Sequence, residues 1–209
     1  MIRILNLYAG IGGNRKLWSG DIEVVAVEID PIIAGIYQDN FPQDKVIVGD
    51  AHEYLRKHYK EFDFIWSSRP CISHSRIRRY SAVERGQNEA IYPDMSLYEE
   101  IIFLENYFEG KYVVENVNSF YEPLIKPQEI DNHYFWANFI IGQVKKTCRE
   151  HLAKVEVLQK RKGFDLSKYK GIDKKLLLRN CVEPELGLHI FEMAFKKPQL
   201  TLFGEEKGK

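Results

Sequence analysis

Apolar residues in the first half of the chain fall in short runs separated by polar stretches of helical period. IRILNLY, IEVVAVEI, KVIVGD, FDFIWSS and KYVVENV read as buried strands, being short and rich in β-branched and aromatic residues. PIIAGIYQDNF, residues 52–60 and SLYEEIIFLENYF read as helices between them, and a further helix is expected near 14–20, after the turn AGIGG. Strands alternating with helices predict an α/β fold, a parallel sheet with helices on both faces. YFWANFII reads as a late strand whose aromatics pack in the core. KLLLRNCVEPELGLHIFEMAF returns to apolar, helix-like spacing and can pack back onto the sheet.

Composition changes this picture in three places. A chain of 209 residues that is 44% hydrophobic supports one ordinary domain with a real core. Thirty basic against thirty acidic residues remove whole-chain charge as a nucleic-acid signal, so any basic surface is local. Such a region exists: residues 145–175 hold eleven lysines and arginines against four acids. On charge alone this is either a solvated surface or a polyanion contact. The expected organisation is a catalytic part over 1–144, this basic segment over 145–175, a returning segment over 176–200 and a tail over 201–209. The three cysteines, at 71, 148 and 181, form no CxxC pair, which argues against a zinc site or a disulfide framework. No metal is expected. The start MIRILNLYAG has no leader character and no run reaches a membrane span, so a soluble cytoplasmic protein without a membrane partner is expected.

Candidate chemistry gathers at the ends of the predicted strands. Gly10 and Gly12 let the backbone turn tightly and approach a ligand, though such a turn also simply makes the bend in many α/β domains. Glu28, ending the second strand, can accept hydrogen bonds from ribose hydroxyls or be a surface carboxylate; Asp30, before Pro31, fits a helix N-cap. Asp50 ends the third strand and can either meet an adenine amino group or cap the next helix. Three such positions together favour an adenosine ligand, a dinucleotide or S-adenosylmethionine. Cys71 follows the fourth strand and is either an inert thiol or a nucleophile. The polar loop after it carries Ser73, Arg76, Arg78, Arg79 and Arg85, which suits phosphate contacts. Glu115 ends the fifth strand, where it can hydrogen-bond a base nitrogen or, like Asn116, cap a helix. His74 is as readily a loop histidine as a partner of Cys71.

Taken in order, these stretches resemble the DNA cytosine-5 methyltransferase family over nearly the whole chain. NLYAGIGG resembles its first motif, AVEIDP its second, VGD its third, Pro70-Cys71 its nucleophile loop, Glu115-Asn116-Val117 its Glu-Asn-Val, and LRNCVEPELGLHI its last. The resemblance implies a class I S-adenosylmethionine-dependent, Rossmann-like fold with a much reduced target-recognition region. It implies S-adenosyl-L-methionine held by Tyr8, Ala9, Gly10, Gly12, Glu28, Ile29, Asp50, Ala51, Asn180 and Val182. It further implies Cys71 as nucleophile on a flipped cytosine, Glu115 at the base N3, and double-stranded DNA on Ser73, Arg76, Arg78, Arg79, Lys160, Arg161 and Lys162. A recognition subunit or a second protomer is a possible further partner. The chain departs from the family pattern at Arg69, a cation that either lowers the Cys71 pKa or crowds the cofactor pocket, and at Ile72, which cannot hydrogen-bond DNA. It departs again at Asn132, where the family has a base-contacting arginine. Arg69 and Asn132 keep open the alternative of a member that binds without turnover, and an RNA cytosine-5 enzyme on the same scaffold is a second alternative.

Overall fold

The computed structural model describes residues 1–80, 84–86, 89–144 and 153–196. Strands β1 (Ile2–Leu7), β2 (Ile22–Glu28), β3 (Lys45–Val48), β4 (Phe64–Ser68), β5 (Lys111–Val117), β6 (Gln128–Ile130) and β7 (His133–Ala137) form one sheet in the order β3-β2-β1-β4-β5-β7-β6. β1 to β5 are parallel, as the pattern predicts, but β7 runs antiparallel to β5 and β6 antiparallel to β7. The sheet is therefore mixed, and the late strand is shorter than YFWANFII. The hairpin turn explains both. Asp131 and Asn132 take φ of 48° and 63°, the left-handed pair of a tight two-residue hairpin, which Asp and Asn tolerate better than other non-glycine residues. Phe135 and Trp136 are buried, the core packing expected of them.

Helices α1 (Pro31–Asn40) and α2 (Ala51–His58) start where the sequence provides caps. Asp30 accepts from the backbone N–H of Ile32 and Ile33, and Asp50 from that of Glu53. The short α3 (Arg76–Arg78) lies in the loop after β4, and α4 (Ser96–Tyr107) precedes β5. Alternate strand residues feed opposite faces. Leu5, Val25, Ile65 and Val114 pack under α2 and α4, with Leu55, Leu97 and Leu104. Ile4, Val24, Phe64, Trp66 and Val113 pack on the other face under α7 (Pro184–Phe195), through Leu186, Ile190 and Phe191. Each such fully buried side chain contributes about 1.5–3 kcal/mol.

The helix expected over 14–20 is absent; the chain there makes turns. Side-chain demand explains it. Buried Arg15 bonds both carboxylate oxygens of buried Asp44 at 2.8 and 3.0 Å and the carbonyl of Trp18 at 2.9 Å, while Asn14 and Asn6 exchange amide bonds. A helical register would pull these groups apart. The basic segment is also no loose arm over its described part. Helices α5 (Val155–Lys162) and α6 (Lys174–Asn180) and the segment between them bury Leu158, Phe164, Leu166 and Leu178 against Ile36, Tyr37 and Phe41 of the α1 region. Residues 145–152 and 197–209 of the expected segments lie outside the described residues. Among the described residues no helix is long and apolar enough to cross a membrane.

Candidate active site at the carboxyl edge of the sheet

The parallel strands deliver their ends to one edge, where ligands meet sheets of this kind. After β1, Tyr8, Gly10 and Gly12 all take positive φ (54°, 55° and 87°), and the Ala9 N–H donates to the Val27 carbonyl. A side chain at Gly10 would meet nothing within 4 Å, so the turn faces open space there; at Gly12 it would strike the Phe41 ring at 2.3 Å. One glycine opens the edge and the other permits packing. Glu28 binds this turn directly. Its carboxylate accepts from the Gly10 N–H at 2.9 Å and the Asp30 N–H at 3.1 Å. Ile29 beside it is 69% exposed, an apolar side chain held out over the edge. Asp50 is exposed and performs its capping role, while Ala51 is buried. Asn180 and Val182 do return to this corner. A side chain at Gly13 would lie 2.2 Å from the Cys181 sulfur and 2.4 Å from the Val182 carbonyl. The returning segment therefore packs on bare backbone.

Across the sheet midline, β4 and β5 bring the second group together. Ser68 is in register with Glu115, so Cys71, three residues on, sits beside the end of β5. Asn116 does not cap a helix. Its amide donates to the Arg69 carbonyl at 3.2 Å and braces the chain before Pro70-Cys71. The Cys71 carbonyl accepts from the N–H of His74 and Ser75, closing a tight turn. The half-buried thiol is pushed up in pKa, first by desolvation and then by the negative charge of Glu115. His133 follows the turn at Asn132 and brings its Nε2 to 3.7 Å from a Glu115 carboxylate oxygen. Asn132 is therefore a turn residue, and the nearest candidate cation beside Glu115 on β7 is His133. His74 is not a partner of Cys71 through its Nδ1, which lies 2.6 Å from the Tyr121 hydroxyl; burial lowers its pKa.

Arg69 departs from one of its two expected roles, that of a cation lowering the Cys71 pKa. It turns away from Cys71 into a cluster around Glu100, which is fully buried. Its guanidinium donates to Glu100 at 2.6 Å, to Asp94 at 3.0 Å and to the Tyr8 hydroxyl at 2.8 Å. The same carboxylate accepts from Tyr8 at 2.6 Å and Ser67 at 2.8 Å and lies 3.0 Å from His52 Nδ1. Arg69 therefore does not lower the Cys71 pKa. It fastens the base of the following loop, because Asp94 also donates its N–H to the Ser73 hydroxyl. The cluster also borders the glycine turn through Tyr8, whose phenol is pushed far up in pKa by burial and then by Glu100.

The residues expected on DNA divide by exposure. Arg76 and Lys160 are exposed. Arg78 is half-buried and donates to the Glu89 carbonyl, and Arg79 lies over the Phe120 ring. Ser73 is buried against Asp94, and Lys162 is buried on Glu183 at 2.9 Å; neither presents a donor outward in this form. Arg161 also pairs with Glu183, at 3.0 Å. Sequence reading missed Glu100 and His133. A signal existed for Glu100, which sits three residues after Leu97 and four before Leu104, on the buried stripe of α4.

Comparison with known proteins places this geometry. Among solved structures, a hypothetical protein of Thermus thermophilus is 18% identical, with 65% of this chain and 73% of that one covered at a TM-score of 0.45. DNMT2 of Spodoptera frugiperda is 23% identical, with 56% and 36% covered at 0.40, so the chain spans about a third of that protein's length. A SAM-dependent methyltransferase of Agrobacterium tumefaciens is 12% identical, with 57% and 40% covered at 0.38. No curated protein matches. The family model for C-5 cytosine-specific DNA methylases matches residues 2–124, which include the glycine turn, Glu28, Cys71 and Glu115. The chain belongs to the C-5 cytosine-specific DNA methylase family.

Proposed function

We propose that the protein transfers a methyl group from S-adenosyl-L-methionine to C5 of a cytosine in double-stranded DNA. One observation carries the reading: adjacent strand ends set a cysteine and a carboxylate side by side, with an open glycine turn on the same edge. The edge suits the cofactor chemically. Glu28 stands where it can accept from a ribose, Ile29 offers an apolar surface to a purine, Asp50 keeps an exposed carboxylate, and Asn180 and Val182 close the corner. When bound, S-adenosylmethionine supplies the electrophilic methyl group that an electron-rich C5 takes up.

The chain's own residues make C5 electron-rich. Cys71 sulfur forms a bond to C6 of the flipped base, and the C5–C6 π pair moves onto C5. Glu115 holds N3 and a proton there, neutralising charge on the ring. After C5 is substituted, its proton leaves to a base, the S–C6 bond breaks, and the double bond re-forms. Burial and the Glu115 charge both raise the pKa of the Cys71 thiol, so as the S–C6 bond forms the thiol proton passes to water or a nearby base.

The test is covalent trapping on duplex DNA containing 5-fluorocytosine, which blocks release of the C5 substituent. With S-adenosylmethionine, a denaturant-stable adduct is expected from the wild type and none from Cys71→Ser. Cofactor binding without an adduct on any DNA would sink the reading in favour of binding without turnover. Labelled methyl appearing on tRNA in preference to duplex DNA would replace DNA with RNA.

A further inference from the structure

We propose that His133 is a positioning residue for Glu115, holding the proton that Glu115 presents to the cytosine ring. The inference rests on the functional reading above and deepens it, since that reading gives Glu115 a proton without naming where it is kept. The hairpin creates the pair. Glu115 is in register with Phe135 and Val117 with His133, so Glu115 and His133 are diagonal neighbours on one face of the sheet, within reach of long side chains. Both line one cleft of about 380 Å³, with side chains 11% and 21% exposed. His133 Nδ1 lies 3.3 Å from the Asp131 carbonyl, which can only accept, so Nδ1 carries a hydrogen. That leaves Nε2 as the ring atom whose proton can come and go, and Nε2 stands 3.7 Å from the Glu115 carboxylate.

A carboxylate opposite a bare Nε2 sets two lone pairs against each other. One proton turns that contact into an attraction, and it has two homes. On Nε2 it makes an imidazolium–carboxylate pair, which water in an open cleft stabilises. On Glu115 it makes a neutral acid beside a neutral imidazole, whose Nδ1–H still meets the Asp131 carbonyl. A flipped base that fills the cleft removes water from both charges, and desolvation favours the neutral form. The proton therefore moves from Nε2 to Glu115 as the base arrives. It passes to N3 as the S–C6 bond forms and returns to the pair when that bond breaks, so the loan balances. Among the described residues, the other charged or titratable groups lining the cleft are Arg161 and Lys162 on α5, exposed Arg179 on α6, and Cys181 and Glu183 after it. Arg161 and Lys162 pair with Glu183, and the Cys71 thiol senses Glu115 from the loop after β4.

The experiment is the single-turnover rate of methyl transfer from S-adenosylmethionine to duplex DNA with cytosine in mixed contexts, across pH, for the wild type, His133→Gln and His133→Lys. Cofactor and DNA affinities are measured in parallel. His133→Gln keeps an N–H toward Glu115 but releases no proton, so Glu115 must take its proton from solvent. Its rate should be at least about tenfold below wild type near neutral pH, with both affinities unchanged. The other titrating groups are common to both proteins and cancel in the ratio of their rates. That ratio should grow with pH, by up to about tenfold per unit, until the wild-type pair itself loses its proton. His133→Lys, a cation that holds its proton far more firmly, should not restore the rate. A ratio that does not change with pH, or a His133→Gln variant that stays inactive as pH falls, overturns the proposal and leaves the functional reading intact. Restoration by His133→Lys overturns it too, by making His133 a fixed charge. Loss of cofactor binding in both variants overturns it by assigning His133 to the fold of the hairpin. A wild type that binds cofactor but transfers no methyl group to any DNA overturns the functional reading and the proposal together.

Discussion

Among the described residues, two arginine–carboxylate pairs are held away from solvent, and they are built for different ends. Arg15 and Asp44 close on each other at 2.8 Å with side chains 5% and 2% exposed, and the Tyr37 hydroxyl completes the set at 2.9 Å. Nothing in that pair faces the sheet edge. Arg69 and Glu100 are also close, at 2.6 Å, but their carboxylate is shared with Tyr8, His52 and Ser67, and their guanidinium continues to Asp94. The first pair replaces a helix by a fixed turn. The second links the glycine turn, the end of β4 and the far end of the Cys71 loop. Identical chemistry is thus structural in one place and wired to the candidate site in the other.

The comparison can be broken in three ways, from the largest effect down. Arg15→Ala and Arg69→Ala should each cost about 3–5 kcal/mol in urea unfolding, because each leaves a carboxylate buried without its partner. A cost for Arg69→Ala below about 1 kcal/mol would mean that the two pairs are not alike. Next, only Arg69→Ala should expose Cys71. Its alkylation by iodoacetamide, followed by peptide mass spectrometry under native conditions, should rise several-fold, whereas Arg15→Ala should leave it near the wild-type rate. Cys181 is an internal reference, since burial pushes its thiol up to about 12. Equal rises in both variants would show global loosening instead.

The smallest expected effect is on pH. His52 has its pKa raised, first by its hydrogen bond to Glu100, against a desolvation that lowers it. A histidine raised on folding stabilises fully below its unfolded value, ordinarily near 6.5, and that contribution fades as pH rises through the folded value. Stability of the wild type should therefore decline modestly from slightly acid to alkaline pH, and His52→Asn should flatten that decline. No histidine is among the described partners of the Arg15–Asp44 pair, so Asp44→Asn should lower the whole curve without changing its slope. A steeper slope in His52→Asn would contradict the assignment.

The candidate site was legible in proportion to how local its signals are. Asp30 and Asp50 cap the helices that follow them because a cap is a three-residue event. Glu28 was placed by its position at a strand end, and its role in tying the glycine turn adds only a partner, the Gly10 N–H. The hairpin at Asp131 and Asn132 carried a readable turn signal that the apolar run YFWANFII concealed. Lys162 reads as one of three adjacent cations, yet about half a helical turn separates it from Lys160 and carries it inward onto Glu183. Arg69 reads as a neighbour of Cys71, yet its long side chain points to partners 25 and 31 residues away in sequence.

Hydrophobic period, turn residues and caps by themselves determined the alternation of strands and helices, and with it the edge where Gly10, Glu28, Cys71 and Glu115 meet. Those features act over a few residues, and a right-handed strand–helix–strand crossover leaves little choice of assembly. Only the tertiary structure decided where the charges go. Whether an arginine ends buried on Glu100, closed on Asp44 or exposed at the mouth of a cleft depends on which distant carboxylate lies within a few ångströms. Desolvation makes those placements differ by several kcal/mol, and no local pattern encodes that distance.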